Sequence, residues 1–181
     1  MGPETAVTSS PPRAPFQLGP LPVGRLLFQL DEAIVRAPVA TIFRLAAEVE
    51  HWPALLPHYR YVRFRSRTTD GGGTVEMSAN RPFGLLQWPT YWCSYMSIDH
   101  DAPSVRYRHI EGVTTAMDVE WTFAAHPEGT HVRLFHVWDG PAWPLIRVPA
   151  ATLVIGPVFV SGIAQRTLAG LKAVAEHESA S

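Results

Sequence analysis

The spacing of apolar and polar residues changes in a definite order along the chain. Residues 25–37 are rich in strand formers. Two sets of apolar residues then recur at the spacing of one helix face, the first being Val39, Ile42, Phe43 and Ala46, and the second Trp52, Leu55, Leu56 and Tyr59. A proline stands at the start of each set, where its missing N–H costs nothing. The pattern predicts a strand followed by two short amphipathic helices.

Further along, apolar and polar residues alternate at every second position, which is typical of half-buried strands. Turn residues such as the Asp-Gly-Gly-Gly run at 70–73 separate six such segments: 62–67, 75–79, 90–98, 104–110, 114–125 and 130–140. Because the connections are short, they favour an antiparallel meander. Residues 145–177 are mainly apolar and are interrupted by two prolines and a glycine, and their final part from Val160 onward predicts a long helix.

This order of elements predicts an α+β architecture with about seven strands. A sheet of this size curls, and a long helix across its concave side cannot fill the whole hollow, so a central pocket is expected. Residues 1–24 contain six prolines among Ser, Thr and Gly and predict a flexible tail. Residues 25–177 then form a single domain.

Strand alternation indicates which side chains face the pocket. If the more apolar face of each strand points to the pocket, four strands place the following side chains there: Trp92, Ser94, Met96 and Ile98; Val105, Tyr107 and His109; Met117, Val119, Trp121 and Phe123; and Val132, Leu134, His136 and Trp138. If the turns fall at the turn residues, Ser94 lies opposite His109, Met96 opposite Tyr107, Met117 beside Tyr107, and His136 beside Val119. Asp118 and Glu120 fall on the outer face, where we expect them to be solvated.

Composition and charge narrow the classes of function. The chain has 181 residues, 46% apolar and 17% charged, and a formal charge of −1, which gives no long-range attraction for nucleic acid. One cysteine, Cys93, and no secretory segment favour the cytoplasm. The eight histidines lack zinc-type spacing, so no metal and no cofactor are predicted. Residues 145–160 are too interrupted for stable membrane insertion, but they suit a lid over a hydrophobic ligand.

Two stretches resemble a known family. "APVATIFRLAAEVEHWPALLPHY" (37–59) is similar to the first strand-helix junction and second helix of single-domain type II polyketide aromatase/cyclases, and "EGVTTAMDVEWTF" (111–123) with "GTHVRLFHVWD" (129–139) is similar to their last hairpin. The similarity covers most of residues 25–176. It implies the helix-grip fold of the SRPBCC or START-like superfamily, in which a curved antiparallel sheet wraps around a long C-terminal helix.

The resemblance also suggests roles for individual residues. Tyr59 and Trp121 match a pocket tyrosine and tryptophan of the family, Ser94 matches a pocket serine, and His136 stands where a polar amide lies in the cavity. Met96 and His109 stand at positions of two arginines. The interpretation is a cyclase in which His136 acts as general base and acid, Tyr59 or Tyr107 donates to a carbonyl oxygen, and His109 completes the catalytic set. Trp92, Ser94, Met96, Met117, Trp121 and Trp138 would bind the substrate.

Two alternatives stay open beside regiospecific aldol cyclisation and dehydration of a polyketide intermediate. The same cavity could carry a lipid, quinone or aromatic metabolite without chemistry, or the rings could fill the hollow and leave an interaction module. Arg60, Arg63, Arg65 and Arg67 form either a solvated strand face or a docking surface for an acidic acyl carrier protein. Either a monomer or a homodimer is compatible with the sequence.

Overall fold

The computed structural model describes residues 11–83, 86–140 and 161–181. The elements, in chain order, are β1 (Leu27–Val35), α1 (Val39–Ala47), a 3-10 turn (Val49–His51), α2 (Trp52–Leu55), β2 (Tyr59–Arg67), β3 (Gly73–Phe83), β4 (Leu86–Asp99), β5 (Ser104–Gly112), β6 (Asp118–His126), β7 (Gly129–Trp138) and α3 (Ser161–Ala180). The lid predicted at residues 145–160 lies outside the described residues. Within them, no helix has the length and apolar character needed to cross a bilayer.

The seven strands form one antiparallel sheet in the order β1-β7-β6-β5-β4-β3-β2. Helix α3 packs against α1, α2 and the inner face of β1 and β3. It contributes Leu168, Leu171 and Ala175 to a core whose other side is built by the sheet. The predicted α+β helix-grip architecture, with two short helices after the first strand and one long C-terminal helix, is therefore confirmed.

The second short helix ends earlier than its apolar spacing suggests. It covers four residues, and Leu56 is already extended, with φ −125° and ψ 99°. The reason is Pro57, because a residue that precedes proline is pushed out of the helical region. The prediction that Tyr59 belongs to this helix is wrong: Tyr59 is the first residue of β2. Its side chain is nevertheless buried, and its ring lies 5.1 Å from the ring of Trp52.

The strand register agrees with the sequence pattern except at one hairpin. Ser94 pairs with His109, Met96 with Tyr107, and Val119 with His136, as predicted. Tyr107 faces Val119 instead of Met117. The prediction for Met117 is wrong by two residues, because β5 continues to Gly112 and the chain then turns through Ala116, at φ 68°. The shift of two keeps every side chain on its predicted face.

The outer face of the sheet holds ion pairs. Asp118 is 3% exposed, and its Oδ1 accepts hydrogen bonds from Nε and Nη2 of Arg108 at 3.0 and 2.8 Å. Glu120 accepts one from Arg106 Nη1 at 3.3 Å. The expectation that these two carboxylates are merely solvated is wrong, because each has a guanidinium as its cross-strand neighbour. Cys93 is buried on this face, and burial raises the pKa of its thiol.

Residues 16–19 lie on the same outer face. The Phe16 ring stacks on Tyr95 at 4.2 Å, and the carbonyl oxygens of Leu18 and Gly19 accept hydrogen bonds from Arg108 and Arg106. Near the chain start, the backbone of Arg13 exchanges hydrogen bonds with Arg67 and Thr69. These contacts belong to the described part of the predicted tail, and the division of the chain at residue 24 stays a prediction.

Candidate active site

A cavity of about 90 Å³ lies between the inner face of the sheet and α3. A single water needs only about 10–15 Å³ on this scale, so the space has room for several waters or a compact ring system. We call it the central cavity and define it by its lining: Trp52, Tyr59, Met77, Thr90, Trp92, Tyr107, Thr114, Met117, Val119, Trp121, Leu134, His136, Ile163, Ala164 and Thr167. Six strands (β2 to β7), the turn between β5 and β6, α2 and one turn of α3 contribute to it.

Aromatic rings form one side of the central cavity. Tyr59 lies at the centre of this group, with its ring 5.1 Å from Trp52 and 6.2 Å from Trp92. Trp121 continues the group at 6.4 Å from Trp52. All four rings are at least nine-tenths buried. Their faces and edges offer a large rigid surface for a flat apolar ligand.

Several polar atoms at the central cavity have no hydrogen-bond partner among the described residues. They are the Tyr107 hydroxyl, the Thr90 hydroxyl and His136 Nδ1. Tyr107 is 4% exposed and His136 8% exposed. A buried polar group without a partner costs about 1–3 kcal/mol of stability. All three face one hollow, so a molecule bound there can supply their missing partners.

Burial also fixes the charge of the two inner histidines. Loss of hydration lowers the pKa of His136 to about 3. The pKa of His109 is lowered to about 3 by the same cause and, secondarily, by repulsion from His136. Both imidazoles are therefore neutral at physiological pH. Burial raises the pKa of Tyr59 and Tyr107, so both phenols keep their protons.

Six of the residues predicted from sequence line the central cavity: Tyr59, Trp92, Tyr107, Met117, Trp121 and His136. The other four, namely Ser94, Met96, His109 and Trp138, do not. Ser94 and Met96 are fully buried in the sheet. The cavity does not reach that far along β4, although parity alone directs both side chains inward.

Other residues stand between the central cavity and the side chains of His109 and Trp138. His109 stacks on Trp92 at 6.2 Å, and its Nδ1 lies 2.6 Å from the Thr114 hydroxyl. Since Trp92 and Thr114 both line the cavity, His109 lies behind them. Trp138 is 1% exposed, and its Nε1 donates to the Thr115 carbonyl at 2.9 Å. The turn between β5 and β6 covers that end of the strand.

Sequence reasoning missed the hydroxyl groups of the wall. Thr90 and Thr114 are the first residues of the predicted strands 90–98 and 114–125, where alternation does not yet set the direction of a side chain. Thr167 lies in the middle of α3, and a lone threonine on the buried face of an apolar helix is the signal that could have found it. Trp52 was placed correctly on the buried face of its helix but was not assigned to the site.

A wider surface groove of about 460 Å³ runs between α1, the 3-10 turn and the end of β2. Its charged side chains already satisfy each other, since Arg67 binds Glu50 and Arg44 binds Glu48 and Glu178. The Asp70 carboxylate accepts from the backbone N–H of Ile98 and Gly72. We therefore take the central cavity, with its unpartnered atoms, as the candidate site.

The central cavity can hold a neutral ligand and exchange hydrogen bonds with it. Its lining within the described residues contains no Asp, Glu, Lys or Arg, and its histidine is neutral. A charged ligand group would lose its hydration there without an opposite charge to replace it. In the parts of the chain that the structure describes, no group of three or more His, Cys, Asp or Glu side chains is placed to hold a metal ion.

The chain is similar in sequence to a known protein and in fold to several solved structures. A Streptomyces halstedii protein provisionally named a polyketide cyclase is 26% identical over 110 residues, which cover 57% of this chain and 93% of that protein. The solved Zhui aromatase/cyclase of a Streptomyces species superposes with a TM-score of 0.70 at 17% identity over 84% of this chain and 94% of its own. A START superfamily protein of Mycobacterium smegmatis gives 0.56 at 16% identity, with 84% and 95% covered.

The two solved structures share the fold with this chain, which agrees with the curved sheet and the long helix behind it. The match in sequence is stronger evidence for kinship. The sequence model of one family matches residues 35–156, from the end of β1 to beyond β7. The chain belongs to the family described as polyketide cyclase / dehydrase and lipid transport proteins.

Proposed function

We propose that the protein is an aromatase/cyclase that binds a neutral, hydrophobic polyketide intermediate in the central cavity and promotes its regiospecific aldol cyclisation and dehydration. The observation that carries this proposal is the group of unpartnered polar atoms, Tyr107 hydroxyl and His136 Nδ1, beside aromatic walls. In such a cavity a flexible poly-β-keto chain is held in one fold, water is excluded, and competing aldol routes are suppressed.

His136 moves the proton in this proposal. An aldol step begins when a base takes a proton from a methylene between two carbonyls, and the imidazole of His136 is present in the neutral form that this requires. Its lowered pKa makes it a weak base while the cavity holds no opposite charge. The enolate formed by the transfer supplies that charge, and the imidazolium beside it is stabilised as one half of an ion pair. During loss of water the imidazolium gives its proton to the departing hydroxyl as the C–O bond breaks, and the imidazole takes the second α-proton in its place. That proton passes to solvent and balances the one that protonated the alkoxide.

Tyr59 and Tyr107 donate hydrogen bonds to the carbonyl that is attacked. Both hydroxyls keep their protons because burial raises their pKa. A donor aimed at the developing alkoxide is worth more in a dry cavity than in water. Trp52, Trp92 and Trp121 hold the ring that forms, since a planar product gains contact with their faces.

An acyl carrier protein is the proposed partner that presents the intermediate. Among the four arginines of β2, Arg65 is held by Glu76 and Glu111, and Arg67 by Glu50. Arg60 and Arg63 are exposed, and no ion pair within the described ranges neutralises them. The docking surface is therefore smaller than the sequence suggests. Charge reversal of both Arg60 and Arg63 should weaken binding of an acidic carrier protein. Charge reversal of Arg133 on β7 is the matched control.

The test of the function is His136→Gln in a strain that makes the polyketide chain. Glutamine keeps a polar side chain of similar reach but cannot exchange a proton at neutral pH. We expect the spectrum of products to shift to spontaneously cyclised shunt compounds, while purified protein keeps its melting temperature within a few degrees. An unchanged product spectrum would show that His136 does no chemistry.

A second candidate is a carrier that binds the same kind of ligand without changing it. The specific observation in its favour is the uncharged lining together with a histidine whose pKa is about 3, which is poorly matched to base catalysis near neutrality. Native mass spectrometry of the protein purified from its source separates the two. A retained lipid or quinone, with no effect of the protein on polyketide products, would favour carriage.

A further inference from the structure

A chain of hydrogen-bonding groups leads from the central cavity to the surface of the protein beside α3. The Tyr59 hydroxyl oxygen lies 3.3 Å from Oγ1 of Thr167. Thr167 Oγ1 lies 3.1 Å from Nε2 of His58. Tyr59 and Thr167 line the cavity and are buried, whereas His58 is half-buried and lies outside the lining. The Tyr59–Thr167–His58 chain is thus continuous from the ligand space to a side chain that meets solvent.

The protons of this chain can be assigned by counting donors and acceptors. Thr167 has one hydroxyl proton, and its shortest contact is to the Ile163 carbonyl, at 2.8 Å one turn earlier in α3. The same hydroxyl rotates to donate to the Tyr59 oxygen at 3.3 Å, which leaves the Tyr59 proton for a substrate oxygen. In either position Thr167 Oγ1 keeps a lone pair for a donor, and the Nε2–H of His58 fills it. The resting state is therefore His58 with its proton on Nε2 and an acceptor nitrogen, Nδ1, on the other side of the ring.

From this arrangement we infer that Thr167 and His58 are positioning residues that aim the Tyr59 hydroxyl and replace its proton from solvent. The inference rests on the proposed function for its place in a reaction, because it assigns to Tyr59 the role of donor to a carbonyl oxygen. Neither residue was identified from sequence.

The proton balance closes without a cofactor. When the substrate oxygen becomes an alkoxide, the Tyr59 O–H bond breaks and its proton forms the new O–H bond on the substrate. The Thr167 hydroxyl turns from Ile163 and gives its proton to the Tyr59 oxygen, and His58 Nε2–H gives its proton to Thr167. His58 takes one proton at Nδ1 from hydronium, which becomes water. His58 is neutral before and after, having exchanged one tautomer for the other.

Burial supports a coupled transfer. The pKa of Tyr59 is raised, mainly by loss of hydration, so a tyrosinate left alone in the cavity would be costly. A relay that returns a proton as one leaves avoids that state. The pKa of His58 is lowered by burial and by Arg166, which keeps its imidazole neutral and able to pass a proton in either direction.

The test uses the exchange of the Tyr59 hydroxyl proton with water, followed by the deuterium isotope shift on its ring carbon in tyrosine-labelled protein. Thr167→Val keeps the shape of the side chain and removes the hydroxyl, and Thr167→Ser keeps the hydroxyl. We expect wild type and Thr167→Ser to exchange at similar rates and Thr167→Val to exchange at least about tenfold more slowly, since one hydrogen bond of ~1.4 kcal/mol corresponds to a factor of ten. Equal rates in all three proteins would overturn the relay.

Histidine nitrogen spectra give a second readout. His58 should be the Nε2–H tautomer in wild type and Thr167→Ser, and a mixture of tautomers in Thr167→Val. An Nδ1–H tautomer in every variant would also contradict the inference. Thr130→Val is the matched control, because it removes a buried hydroxyl that donates to the Ala37 carbonyl at 2.8 Å, outside the lining of the cavity. It should leave both Tyr59 exchange and His58 unchanged.

The product assay distinguishes failure of the relay from failure of the proposed function. If wild-type protein forms cyclised product, Thr167→Val should form it about tenfold more slowly, and Thr167→Ser should restore it. If wild-type protein has no effect on polyketide products, the proposed function fails, and the exchange rates still decide whether the relay exists.

Discussion

Two tyrosines on opposite faces of the sheet show the difference between structural and ligand-seeking polar groups. On the outer face, the Tyr91 hydroxyl accepts from Arg65 Nη2 at 2.9 Å and donates to Glu111 Oε2 at 2.8 Å. On the inner face, the Tyr107 hydroxyl has no partner in the described part of the chain, although it is more deeply buried. The first hydroxyl is satisfied by the protein, and the second is available to a ligand.

The contrast extends to the charged groups of the two faces. Outside, Arg65, Arg106 and Arg108 bind carboxylates of neighbouring strands. Inside, the cavity lining has no ionised side chain among the described residues. Hydrogen bonding on the outer face is incomplete, because Arg106 Nε and Nη2 lack partners among the described residues. The outer polar residues therefore hold the strands together, while the unpartnered polar atoms of the cavity cost stability, which the proposed ligand would restore.

The largest effect is expected on the outer face, from Asp118→Asn. Removing this carboxylate leaves the guanidinium of Arg108 and the nearby Arg106 without their buried partner. Breaking a buried ion pair from one side typically lowers the free energy of unfolding by about 3 kcal/mol. Urea denaturation measures this change. A loss below about 0.5 kcal/mol, the range of ordinary surface substitutions, would mean that the ion pairs of the outer face do not stabilise the sheet.

The inner histidines predict a dependence of stability on pH. Their folded-state pKa of about 3 lies below the value of 6.5 expected in the unfolded chain, so the unfolded state binds more protons between these two pH values. Stability is therefore fully present above pH 6.5 and falls as the pH falls towards 3. Each histidine contributes a slope of up to about 1.4 kcal/mol per pH unit.

Denaturation of His136→Gln at several pH values isolates this contribution. The slope between pH 4 and 6 should be smaller than in wild type by up to roughly 1.4 kcal/mol per pH unit. His126→Gln, at the end of β6 away from the cavity, is the control and should keep the wild-type slope. Equal slopes in wild type and His136→Gln would contradict the burial of a neutral imidazole.

A smaller effect is expected from Tyr91→Phe. The substitution removes two hydrogen bonds that connect β4 to Arg65 of β2 and to Glu111 of β5. Because the network is partly exposed, its loss should lower the free energy of unfolding by only about 1 kcal/mol. Ligand affinity should be unchanged. A marked loss of affinity would show that the outer network shapes the cavity.

The smallest change in stability is expected from Tyr107→Phe, which removes a hydroxyl that has no protein partner. The free energy of unfolding should stay within about 0.5 kcal/mol of wild type or increase. Affinity for a neutral phenolic ligand, measured by quenching of tryptophan fluorescence, should fall by about tenfold. The opposite result, a large loss of stability with unchanged affinity, would reverse the assignment of the two tyrosines.

The fold was predictable because most strands show a clear alternation of apolar and polar residues, although both faces of 90–98 are apolar. A hairpin slip of two residues at Met117 left the inner face unchanged, so errors of register did not become errors of burial. Even Tyr59, taken for a helical residue, kept its buried position, because the helix stop set by Pro57 leads directly into a strand that faces the same hollow.

The site was harder to predict because alternation gives the face of a strand but not the extent of the cavity along it. Ser94 and Trp138 point inward by parity, yet one lies in solid packing and the other is covered by a turn. Thr167 and His58 come from different elements, and their contact depends on the angle at which α3 crosses the sheet. No periodic signal in the sequence reports that angle.

The most direct test of the central claim is a crystal structure of the protein soaked with 2-naphthol, a neutral two-ring phenol. The account predicts its rings between Trp52, Trp92 and Trp121, with the naphthol oxygen within about 3 Å of the Tyr107 oxygen or a nitrogen of His136. Crystals in which naphthol occupies only the surface groove beside α1, and the central cavity contains no ligand, would contradict it.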